Sequence, residues 1–164
     1  MVESMLCGKL SYPKNTSEVY RIMAIKMRVL YASPKKKIST MANMIKAEFD
    51  LPVNAVDKIE QPAYSCDKER LVVLMFSLKS EPSDVVRRFC GELNKSRANN
   101  VAIIMNGPEA AATRMKEILA AAGTNVIDEV FYVKTAALSF LDKITDEEKA
   151  DLLAWTHRVV DSIQ

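Results

Sequence analysis

From Met27 onward the chain alternates short unbroken apolar runs with longer stretches in which apolar residues recur every three or four positions. The runs predict buried strands, and the periodic stretches predict helices with one apolar face. MRVLYA, from Met27 to Ala32, is the first strand and meets Ser33 and Pro34 at its end. Ile38, Met41, Ala42, Ile45 and Phe49 then share one helical face, and Pro52 is expected to stop that helix. VNAVDKI is shorter and more polar, which suits a strand at a sheet edge. Glu60 to Arg70, with Pro62 and several charges, has little periodicity and reads as a loop or a short irregular helix.

LVVLMF, from Leu71 to Phe76, is apolar at every position, as a strand covered on both faces must be. Glu81, Pro82, Ser83 and Asp84 open a helix carrying Val85, Val86, Phe89 and Leu93, because proline and acids suit a first helical turn. VAIIM, from Val101 to Met105, repeats the buried run and ends in the turn Asn106, Gly107, Pro108. EAAATRMKEILAAAG is rich in helix formers and stops at Gly123, suited to a left-handed cap. VIDEVFYV is a fifth strand whose Asp128 and Glu129 place part of it outside the core. Thr145 with Glu148 three residues later forms a capping box that opens a last helix bearing Leu152, Leu153, Trp155, Val159, Val160 and Ile163. Strands and helices thus alternate five times, which predicts an α/β fold: a doubly wound, five-stranded parallel sheet with right-handed crossovers. The domain spans residues 27–164, and residues 1–26 form an extension of mixed character. That extension, with one short helix over Ser17 to Ile25, either packs on the domain or frays.

Composition adds limits more than chemistry. At 164 residues with 49% hydrophobic and 27% charged side chains, the chain can bury one core without metal or disulfide support. Its 23 basic and 21 acidic residues make a field too weak to point to nucleic acid or an anionic membrane. Cys7, Cys66 and Cys90 have no paired short spacing, so neither a disulfide framework nor a zinc site is expected, and a reducing compartment fits. No signal-peptide stretch opens the chain, and no apolar run approaches the roughly 20 residues of a membrane span. The expected location is cytoplasmic.

The words YASPKKKISTMANMI, Tyr31 to Ile45, resemble the opening of a flavodoxin, where a strand ends in Ser or Thr, a phosphate loop follows, and a helix begins with Met-Ala at this spacing. The resemblance implies the flavodoxin-like strand order 2-1-3-4-5, flavin mononucleotide (FMN) as cofactor, and electron transfer between redox partner proteins rather than an enzyme with its own substrate. It implies that Ser33, Pro34, Lys35, Lys36, Lys37 and Ile38 hold the FMN phosphate. The loops Ser77, Leu78, Lys79 and Asn106, Gly107, Pro108 would flank the isoalloxazine, in agreement with the rule that open sheets bind ligands beyond their C-terminal strand ends.

The same turn departs from the family pattern Ser/Thr-x-Thr-Gly-x-Thr. It has no glycine to let backbone amides close on a phosphate, and Pro34 has no amide proton. What remains is a helix start and three lysines. Neither flanking loop carries an aromatic ring. The alternative is therefore a flavodoxin-like domain that has lost FMN and binds a protein or an anion. Elsewhere, His157 reads as a surface residue, Cys90 as a buried hydrophobe, Cys66 as the better redox candidate, and Trp155 as core or partner contact. Phe76 and Met105 read as core residues at the sheet rim.

Overall fold

The computed structural model describes residues 25–163. Nearly all of the expected extension and its short helix, together with Cys7, lie outside the described residues. The centre of the fold is built from three parallel strands, β1 (Met27–Ala32), β3 (Glu69–Ser77) and β4 (Ala98–Asn106). β2 (Val56–Lys58) adds to β1, while β5 (Asn125–Val126) and β6 (Phe131–Tyr132) both pair with β4. The order β2-β1-β3-β4-β5 is the one expected.

Period-two alternation along each strand divides the core. Val29, Val73, Met75 and Ile104 face α1 (Lys36–Glu48) and α4 (Asp146–Ser162), meeting Ile38, Met41, Ile45, Leu152 and Trp155. Leu30, Val72, Leu74, Phe76 and Ile103 face α2 (Asp84–Gly91) and α3 (Glu109–Ala122), meeting Val86, Cys90, Met115 and Leu119. Both faces of the central strands are thus covered, the condition that their unbroken apolar runs demand.

The helix boundaries follow local chemistry. Ser83 caps α2 by accepting from the Val86 amide, Gly123 closes α3 at φ 100°, and Thr145 and Glu148 form the expected capping box on α4. Three expectations change. α1 begins at Lys36, so Lys36, Lys37 and Ile38 belong to its first turn and the loop shrinks to Ser33, Pro34 and Lys35. Ile38 is fully buried because it starts the same apolar stripe as Met41 and Ile45. α1 also ends before Pro52: Asp50, at φ 48°, turns the chain, and Pro52 leads into the 3-10 turn Val53–Ala55. The fifth strand is split: the Ile127 amide still donates to the Val101 carbonyl, and Asp128 to Val130 then leave the sheet where Glu129 pairs with Arg158 and the Asp128 carbonyl accepts from Lys116.

Candidate functional site

After β1 the chain turns into a helix on one face of the sheet, and after β3 into a helix on the other. The two connections diverge, and an open crevice at the C-terminal strand ends follows. A cleft of about 730 Å³ lies there, walled by Tyr31, Ser33 and Pro34 from β1 and its turn, Ser77 and Leu78 from the end of β3, and Ser83, Val85 and Val86 from the start of α2. Lys58 at the end of β2, with Glu60 and Gln61 just after it, completes its rim. A volume of this size suits a small-molecule ligand.

A chain of neutral polar side chains crosses the strand ends. Ser33 and Ser77 hydroxyls share a hydrogen bond of 2.6 Å. Asn106 Nδ2 donates to Ser77 Oγ and to Thr135 Oγ1, each at 3.0 Å, and the Lys35 amide donates to Ser33 Oγ at 3.1 Å. The ends of β1, β3 and β4 are thereby tied to one another. Two hydroxyls share one bond between them, so that bond uses only one of their two protons.

Lysines of the expected phosphate turn face elsewhere. Lys35 Nζ donates to the Ala136 carbonyl at 3.1 Å. Lys37, buried, donates to the Lys134 carbonyl (2.9 Å) and Glu148 Oε1 (2.7 Å), with Asp142 Oδ1 at 3.9 Å. Burial alone would push the Glu148 carboxyl up, but the Lys37 bond and the Thr145 amide outweigh it and hold it below the usual carboxylate range. Lys36 and Lys79 are exposed and do not line the cleft. On the β4 side, the Leu78 amide donates to the Asn106 carbonyl at 3.0 Å, and a Cβ on Gly107 would lie 2.1 Å from the Leu78 oxygen. The loops after β3 and β4 are therefore in backbone contact, with Pro108 beginning α3 just behind.

Of the residues expected at the site, Ser33, Pro34, Ser77 and Leu78 line the cleft, and Asn106 reaches it through Ser77. Ile38 sits in the core and Lys37 in an ion-pair cluster. Sequence reasoning missed Tyr31, Ala32, Lys58, Glu60, Gln61, Ser83, Val85, Val86 and Thr135. A weak strand ending in Lys58 placed at the sheet edge beside β1 was the available signal for Lys58, Glu60 and Gln61.

The other chemistry-bearing residues fall mostly as expected. Cys90 is buried and its thiol is pushed up to about 12 by desolvation. Trp155 packs in the core with its ring 5.6 Å from that of Phe131, and Phe76 and Met105 are fully buried. His157 is half exposed and bonds to Glu48 Oε1 at 2.7 Å. Cys66 differs from expectation: it is buried, and burial, ahead of the opposing pull of Arg28, raises its thiol, which lowers its reactivity.

No protein-family model and no curated protein matches the chain. Solved structures do. An oxidised flavodoxin 2 from Bacillus cereus superposes with a TM-score of 0.59 at 16% identity, covering 84% of this chain and 99% of that one. A short-chain flavodoxin associated with a non-canonical PDU bacterial microcompartment gives 0.59 at 13% identity, with 84% and 99% covered. A flavodoxin from the domain Archaea gives 0.56 at 12% identity, with 84% and 97% covered. The fold is flavodoxin-like. Among the described residues no helix is long and apolar enough to cross a membrane.

For a flavodoxin-like chain the FMN phosphate would lie against the turn after β1, and there the residues present do not fit it. Pro34 has no amide proton, the Lys35 amide is spent on Ser33, and the ammonium groups of Lys35 and Lys37 are spent on carbonyl and carboxylate oxygens.

Proposed function

We propose that this chain is a flavodoxin-fold binding module that has given up FMN and takes a small, acceptor-rich ligand, a phosphate or carboxylate compound, in the cleft between β1 and β3. The observation that carries the reading is the Ser33–Ser77–Asn106–Thr135 chain. It sets the Ser33 and Ser77 hydroxyls on the wall of the cleft, and the bond between them uses only one of their two protons. Lys58 on the rim adds a cation, and the first turn of α2 adds the partial positive charge of a helix start. Glu60 on the same rim disfavours a bulky polyanion, which suits a small ligand better than nucleic acid.

FMN carriage between redox partner proteins is the second reading, favoured by the near-complete coverage of the flavodoxin structures above. A visible spectrum of the purified protein and a titration of FMN, followed by quenching of flavin fluorescence, separates the two. The module reading expects a colourless protein and no saturable quenching up to high micromolar flavin; a yellow protein or saturable quenching overturns it. Inorganic phosphate or pyrophosphate should raise the melting temperature of the parent protein, and Ser77→Ala with Lys58→Ala should abolish the rise. Because Lys37 holds the fold, the basic turn is best tested with Lys35→Ala and Lys36→Ala alone, which should leave phosphate binding unchanged.

A further inference from the structure

Three crossovers of the parallel sheet pass through helices, but the one from β2 to β3, Ile59 to Lys68, contains none. Its ends are tied by backbone bonds, the Ile59 amide to the Tyr31 carbonyl and the Lys68 amide to the Ser96 carbonyl, each at 3.0 Å. Between them the bonds among the described residues come from side chains: Asp57 accepts from the Ala63 amide, Arg28 donates to the Tyr64 carbonyl, and Lys26 donates to the Asp67 carbonyl. A segment held in this way opens locally at far less cost than a core helix or strand. Cys66 lies in it, buried, with its Sγ 3.5 Å from Arg28 Nη1. The other two nitrogens of that guanidinium, Nε and Nη2, are shielded from water and have no acceptor among the described residues. The Tyr64 ring covers them from one side and can offer no lone pair. An anionic oxygen brought to the Cys66 sulphur would meet these donors, and bonds of that kind are the strong ones.

We propose that Cys66 is a site of oxidation by a hydroperoxide, and that the sulfenate oxygen it gains becomes the acceptor Arg28 lacks. The thiol loses its proton to solvent and the sulphur attacks a peroxide oxygen. The S–O bond forms as the O–O bond breaks, and sulphur gives two electrons to the peroxide. The leaving hydroxide or alkoxide takes a proton from solvent and departs as water or alcohol, while the sulfenic acid gives up its own proton beside the guanidinium. While the crossover is closed, burial keeps the thiol protonated against the opposing pull of Arg28, with Glu69 adding to the effect of burial. The reaction therefore runs from the opened crossover and is slow; Arg28 acts on the product, holding it once the crossover closes again. Cys90 is the internal contrast. It is fully buried within α2, its thiol is pushed up to about 12 by desolvation alone, and no arginine bonds to it among the described residues. Cys66 is thus the thiol of this pair with both a route to the oxidant and a partner for the oxidised form.

The test treats the folded full-length chain with hydrogen peroxide and reads each cysteine by peptide mass spectrometry after trapping sulfenic acid with dimedone. Cys66 should be labelled about tenfold or more faster than Cys90. In a Cys7→Ser background, which removes a thiol that could capture the sulfenate as a disulfide, the Cys66 sulfenate should persist after peroxide is removed. Arg28→Met should shorten that lifetime about tenfold, the change that loss of a charge-assisted hydrogen bond implies. A second comparison needs no peroxide and holds even if Arg28→Met folds poorly. Cys66→Asp places a carboxylate where the sulfenate would stand, and it should melt at or above Cys66→Asn. Equal labelling of Cys66 and Cys90, a sulfenate lifetime that Arg28→Met leaves unchanged, or a Cys66→Asp variant that melts clearly below Cys66→Asn overturns the proposal. Arg28 is the second residue of β1, at the end of the sheet opposite the cleft, so the phosphate titration can fail independently.

Discussion

A carbonyl oxygen occupies the place where a methyl group on residue 107 would have to go. Gly107→Ala must therefore push Leu78 and the loop after β4 apart, and the expected loss is about 1–3 kcal/mol, read from urea denaturation. Arg28 is the opposite kind of residue, a large charge in a place with too few partners. It is 1% exposed, donates to the Tyr64 carbonyl at 2.7 Å, and lies 4.0 Å from the centre of the Tyr64 ring, yet among the described residues its Nε and Nη2 have no acceptor. Burying such groups without acceptors is costly. Arg28→Met keeps the length and removes the unpaired donors, so the variant should unfold at an equal or higher urea midpoint. A clear drop would mean that the Tyr64 contacts outweigh the unmet donors.

At the scale of elements, one buried lysine holds three pieces together: α1 supplies Lys37, α4 supplies Glu148, and the connection between β6 and α4 supplies the Lys134 carbonyl and Asp142. The Glu148 carboxyl is held below its ordinary value of 4.5, so the unfolded chain binds its proton more tightly than the folded one. Its contribution is then fully present above the ordinary carboxylate range and disappears as pH falls through the lowered value. Glu148→Gln should be less stable near neutrality and should lose less of its remaining stability on acidification, measured as melting temperature against pH. The helices themselves were largely legible beforehand, because Thr145 with Glu148, the stripe from Ile38 to Ile45, and Gly123 are local signals. The start of α1 was not, since nothing local tells a lysine run in a loop from one in a first helical turn; the partners of Lys37 lie about 100 residues away in sequence. The same holds for the cleft. Ser33 and Ser77 could be placed at strand ends, but the bond between them depends on the register of β1 against β3, and Cys66 in a polar stretch gave no sign of being covered.

For the molecule as a whole, the long strands are the interior ones. β3 and β4 are nine residues each, paired on both sides and covered by helices on both faces, so their central amides should show the slowest hydrogen exchange, near that of global unfolding. Amides of Asp128 to Val130, which leave the sheet, should exchange fastest in the β4–β6 region. At the margins, β2 offers three residues, and β5 and β6 offer two each, separated by chain that carries charge. A neighbouring polypeptide seeking a ladder to extend finds only fragments there. Fibre growth by this domain would have to begin from β3 or β4, the most apolar segments of the chain, and those become available only when the entire sheet opens. Turbidity on heating should accordingly follow the cooperative melt and not precede it.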